Sequence, residues 1–209
     1  MESLGVLKLL ANNLKVLLAE RNLKIKDVIE NTNLSRNTVS NIVNNPCSNV
    51  SNNTIDEICN YLNIEPSVFF VYTPYLIRYS SKNFSLSIQK GKQKFECQLK
   101  LNKITFNELS DLDSNKETIK ETFKNDIENI DQHYSIFDLE ILSNKEFNFM
   151  NTYKKLPFVF QSEITHNLIK MCNSYLANFY DKHKDLPRNS YITFFNGGEL
   201  IIPANNFEK

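Results

Sequence analysis

The stretch from Leu23 to Asn45, LKIKDVIENTNLSRNTVSNIVNN, constrains this chain more than any other. Its apolar residues recur at helical spacing in two short runs on either side of a polar corner. In the first run Val28 and Ile29 face inward from a helix over 24–32. In the second, Val39 and Ile42 do so from a helix opened by Ser35, whose hydroxyl suits an N-cap. Asn33 stands at the corner, and a left-handed backbone is expected there, because Asn tolerates positive φ better than other non-glycine residues. Asn45-Pro46 ends the second run, since proline disfavours helical backbone in the residue before it.

The flanks extend the helical reading. Leu4, Leu7, Leu10, Leu14, Leu17 and Leu18 recur at steps of three and four, which predicts a first helix from Ser3 to Arg21 with Asn22 at its C-terminus. Asn53 or Thr54 is expected to cap a fourth helix that turns Ile55, Ile58 and Leu62 inward. Pro66 opens a short fifth, after which Val68, Phe69 and Phe70 close the core. Residues 1–72 thus read as an all-α unit of five helices.

The pattern changes after Tyr72-Thr73-Pro74. Phe84, Leu86 and Ile88, then Phe95, Cys97, Leu99 and Leu101, alternate with polar residues on either side of Lys90-Gly91-Lys92, which predicts a hairpin. A helix is expected over 115–130 and a strand over 134–142. A long amphipathic helix over 162–180 carries Ile164, Leu168, Met171, Tyr175 and Phe179, an apolar stripe that suits either a core or a dimer surface. The Asn196-Gly197-Gly198 turn in YITFFNGGELIIP predicts a last hairpin. Residues 75–209 are therefore expected to form an α+β unit with a mostly antiparallel sheet, and the chain as a whole is α+β.

Composition narrows the function. Lys and Arg number 24 and Asp and Glu 24, so the net charge is zero. The first 70 residues hold six bases (Lys8, Lys15, Arg21, Lys24, Lys26, Arg36) against seven acids (Glu2, Glu20, Asp27, Glu30, Asp56, Glu57, Glu65). Such a unit gains little from phosphate attraction alone, and any nucleic-acid affinity must come from directed hydrogen bonds and paired copies. No apolar run reaches the ~18 residues of a membrane span, and no secretory signal is evident. A cytoplasmic protein is expected. Cys47, Cys59, Cys97 and Cys172 are isolated, and His133, His166 and His183 are scattered, so neither a disulfide framework nor a metal site is expected. The chain lacks GxSxG, HExxH and glycine-rich phosphate loops. No enzyme activity and no cofactor are implied.

Two short helices around a corner are the layout of a helix-turn-helix, whose second helix enters the DNA major groove. The motif LKIKDVIENTNLSRNTVSNIVNN and the later TIDEICNYLNIEPSVFF make residues 12–70 resemble the Xre-type helix-turn-helix family, which includes the lambda-like phage repressors and Cro proteins. The resemblance implies that Arg36, Asn37 and Asn41 aim at base edges. It makes Ser35, Thr38, Ser40 and Asn44 candidates for backbone or secondary contacts. Helical spacing agrees, placing 36, 37, 40, 41 and 44 on one face opposite Val39 and Ile42. Arg suits guanine and Asn suits adenine in the major groove. Ile25 stands where the family usually has a DNA-contacting Gln, and Ile29 where it has a small residue, so one contact is missing and the helix crossing is altered.

The expectation is a sequence-specific repressor of phage or mobile-element origin, binding an inverted repeat of double-stranded DNA as a homodimer. Some phage repressors end in a self-cleaving peptidase with an Ala-Gly scissile bond, but this chain has no Ala-Gly. A rival reading, by likeness to certain phage anti-CRISPR proteins, gives the C-terminal unit a bacterial nuclease as protein partner and leaves the N-terminal unit to autoregulate its promoter.

Overall fold

Four short helices and a one-turn fifth pack around Leu14, Leu17, Leu18, Val28, Val39, Ile42, Ile58, Leu62 and Phe69, all buried. They are α1 (Leu14–Glu20), α2 (Ile25–Glu30), α3 (Arg36–Asn44), α4 (Asn52–Leu62) and α5 (Pro66–Phe69). The computed structural model describes residues 6–105, 134–143, 146–182, 189–196 and 199–207. The helix expected over 115–130 and the glycines of the last turn lie outside them.

Serine caps set the starts of two helices. Ser35 Oγ accepts the Thr38 N–H at 3.1 Å, and Ser51 Oγ accepts the Thr54 N–H at 3.3 Å. The second cap is Ser51 and not Asn53 or Thr54, which both lie inside α4; the Ser-x-x-Thr spacing of the first cap recurs there. Ser51→Ala should cost about 1 kcal/mol, and Ser51→Thr much less. Urea denaturation of both variants measures this, and an unchanged midpoint for Ser51→Ala would remove the cap from the account. Helix α4 ends on Asn63 in the left-handed region (φ 49°), and Asn22 does the same after α1 (φ 54°).

The first helix is shorter than its leucine spacing predicts. Residues 6–12 are extended: β1 (Val6–Leu7) and β2 (Leu10–Asn12) precede α1. Leu7 is buried against a different core, opposite Ile77, while Leu10 is exposed opposite Tyr72. Strand partners more than 60 residues away override the local helical pattern. Val68 also departs from expectation, being exposed on α5, whereas Phe69 is fully buried with Phe70 edge-on to it at 4.9 Å.

Strand β3 (Phe70–Tyr72) pairs with β2 in a two-stranded sheet. The rest of the chain builds a larger sheet from β4 (Tyr75–Ser80), β5 (Ser85–Lys90), β6 (Gln93–Ile104), β7 (Tyr134–Leu142), β8 (Asn189–Asn196) and β9 (Glu199–Phe207). With β1 on its edge the order is β1-β4-β5-β6-β7-β8-β9. Only β7 and β8 are parallel, so the sheet is mostly antiparallel and the class is α+β. The β5–β6 hairpin turns at Gly91 (φ 57°) with Ile88 opposite Phe95 and Leu86 opposite Cys97. Phe84 falls outside the strand: its φ is 46°, and its ring stacks on Tyr175 at 4.7 Å.

Among the described residues two helices join this sheet, α6 (Phe149–Lys154) and α7 (Phe158–Lys182). Ile164, Leu168, Met171, Cys172 and Leu176 of α7 are fully buried with Ile77, Leu86 and Ile88 of the sheet. Three of the five stripe residues, Ile164, Leu168 and Met171, are thus occupied in covering the apolar face of the sheet, whereas Tyr175 stays 42% exposed.

Candidate nucleic-acid interface

Helix α3 owes its position to its inward residues. Val39 is fully buried and Ile42 and Val43 nearly so, against α1 and α2. The opposite face carries Arg36, Asn37, Asn41 and Asn44, all exposed, with Ser40 half-buried. The structure thus brings four of the polar side chains expected there onto one outward surface. Ser35 and Thr38 are engaged locally: their hydroxyls lie 2.9 Å apart, and Ser35 Oγ takes the Thr38 N–H. Their first role is to hold the helix start. Asn44, in the last turn, also lines a crevice shared with α1 and α7.

The corner between α2 and α3 is built differently from the expectation. Asn33 has no positive φ. The Thr32 hydroxyl donates to the Val28 carbonyl at 2.7 Å and accepts the Leu34 N–H at 3.3 Å. The Asn33 N–H donates to Glu57 Oε2 on α4 at 2.7 Å. A hydroxyl and a distant carboxylate close this turn, so no left-handed residue is required. Glu57 is 24 positions from the corner, and no local sequence signal identifies it. Upstream, the Asp27 carboxylate accepts the Lys24 N–H at 2.7 Å and fixes the start of α2.

The end of α3 is held by Asn12, which is buried. Its Nδ2 donates to the carbonyls of Ile42 at 3.1 Å and Pro46 at 3.0 Å, and its Oδ1 accepts the Leu14 N–H at 3.1 Å. Its backbone N–H also donates to Pro46 at 2.8 Å. Lys8 Nζ reaches the Cys47 carbonyl at 2.8 Å on the loop beyond α3. Both residues come from the strand segment, where a helix had been expected. On α2 and its start, Lys24 is exposed and Lys26 is paired with Glu30 at 3.3 Å.

A helix pair packed about a polar corner, with a polar outward face on its second member, has the layout of a helix-turn-helix. Residues 13–74 match the Cro/C1-type HTH DNA-binding domain family, and the C-terminal region matches no family. The match supports a DNA-binding transcription regulator. No curated protein and no solved structure matches the chain. Among the described residues no helix is long and apolar enough to cross a membrane.

Proposed function

We propose that this chain is a sequence-specific transcriptional repressor of phage or mobile-element origin that reads an inverted-repeat operator near its own promoter as a homodimer. The observation that carries the reading is the outward row Arg36, Asn37 and Asn41 on a helix whose other face is buried. Arg36 would pair with guanine O6 and N7, and the two asparagines with adenine N6 and N7. Ser40 and Asn44 would add secondary or phosphate contacts, and Ser35 and Thr38 would do so through the helix start they hold. Dimerisation answers the neutral charge. One recognition helix makes too few phosphate contacts to hold a half-site, whereas two spaced about one DNA turn (~34 Å) apart act together. On this reading residues 1–72 and 75–209 divide reading from assembly, with β1 joining the two, and the site of action is the cytoplasm.

Arg36→Ala and Asn41→Ala should each weaken binding to the cognate operator by about 1–3 kcal/mol and relax base preference there. Titration of matched and scrambled operators by mobility shift measures both effects. Equal affinity for the two sequences would refute the reading.

A further inference from the structure

The helical unit and the C-terminal unit meet along a crevice of about 480 Å³. Val16 and Ala19 of α1 and Val43 of α3 form one wall, and Phe158 and Val159 of α7 the other. The lining is mainly apolar, and Phe158 stands at 69% exposure. Pockets for small molecules fall in this size range and favour the junction of two packed units.

One charged group in the lining is held in place. Glu163 Oε1 accepts Asn167 Nδ2 at 3.1 Å, and the same amide donates to the Glu163 carbonyl at 2.9 Å. Glu163 is half-buried and takes part in no salt bridge among the described residues. Behind the lining is Tyr79 of β4, at 3% exposure, with the Asn167 side chain facing its hydroxyl. Burial first and then the Glu163 charge push that phenol above the ordinary tyrosine range, although the nearby Asn167 amide opposes them. Burial also raises the Cys47 thiol, with Glu163 adding to it and Lys8 opposing. A half-buried carboxylate with no ion-pair partner among the described residues, at the edge of a mainly apolar crevice, suits a ligand that brings a cation. Lys15, Glu20 and His166 also line the crevice, but they are exposed and solvent screens them.

We propose that this crevice is a regulatory site for a small organic cation, with an apolar or aromatic body against Val16, Ala19, Val43 and Phe158 and its ammonium on Glu163. Val43 and Asn44 form the last turn of α3, so occupancy bears directly on the helix that reads DNA. This second step rests on the proposed DNA function; the binding step does not.

Calorimetric titration of the full chain with 1-naphthylmethylamine, and separately with 1-naphthoic acid, tests the site. The amine should bind saturably below about 1 mM, and the acid about tenfold more weakly or not at all. Glu163→Gln should weaken amine binding about tenfold while leaving the melting temperature of the free chain little changed. Ala19→Trp, a substitution at an exposed position that fills the crevice, should abolish binding. Equal binding of acid and amine, an unaffected Glu163→Gln, or no saturable amine binding would each overturn the site. Saturating amine should shift operator affinity about threefold or more. Unchanged operator affinity despite intact amine binding would overturn the regulatory role, whereas absence of any operator binding would refute the repressor and leave the ligand site standing.

Discussion

Replacing Asn12 with alanine should destabilise the protein by about 2–4 kcal/mol and lower its melting temperature by roughly 5–15 °C. The side chain is buried and serves three backbone groups, the carbonyls of Ile42 and Pro46 and the N–H of Leu14. Alanine removes all three bonds, and each backbone group left without a partner costs about 1–3 kcal/mol when water cannot reach it. The Asn12 backbone N–H still reaches Pro46, so part of the joint survives and the effect stays below the simple sum. Because the two carbonyls belong to α3 and the loop beyond it, operator affinity should fall as well. Thermal denaturation and operator titration of the same sample measure both. A loss under about 1 kcal/mol would mean that water satisfies these groups and that Asn12 is dispensable to the joint.

Phe69→Ala should have the larger effect on stability, about 3–5 kcal/mol. Its ring is fully buried in the helical core, edge-on to Phe70, and its carbonyl accepts the Asn13 N–H at 2.8 Å at the start of α1. Truncation leaves a void among Leu14, Ile58 and Leu62, in a core built from few large side chains. A loss of this size is a large share of the stability of a small unit, so operator binding should weaken steeply near 37 °C. Phe69→Leu keeps most of the apolar volume and should retain most of both properties. Chemical denaturation with tryptophan-free probes such as far-ultraviolet dichroism is suitable, since the chain has no Trp. A Phe69→Ala variant that melts like the parent would show that the ring is not part of the helical core.

Local rules reached the parts of this molecule that local contacts build. The period of Val28, Val39, Ile42 and Ile58, the cap at Ser35 and the proline at 66 place the helices around the polar face of α3. The outward set Arg36, Asn37 and Asn41 follows from the same period. Alternation through Leu86, Ile88, Cys97 and Leu99 gives the hairpin. The misreadings lie where distant partners decide. Leu7 and Leu10 keep helical spacing with Leu14, yet Ile77 and Tyr72 pull them into two different sheets. The residue type of Asn33 predicts a left-handed backbone, but Thr32 and Glu57 close the corner without one. Strand β4 carried a signal that could have been read, since Ile77 and Tyr79 face inward and Arg78 outward. Asn12 carried none: its importance depends on the carbonyl groups that α3 and Pro46 bring to it, 30 and 34 residues away.

The paired strands β2 and β3 set Leu10 beside Tyr72 and Ala11 beside Val71. The chain therefore enters and leaves the helical unit at points only about 5 Å apart. Immediately outside them, β1 and β4 run side by side in the large sheet. Topologically the helix-turn-helix is a cassette inserted between two neighbouring strands, not a bead on a string. The helical unit is thus tied to the large sheet at both of its ends, with no single-chain swivel about which α3 could turn.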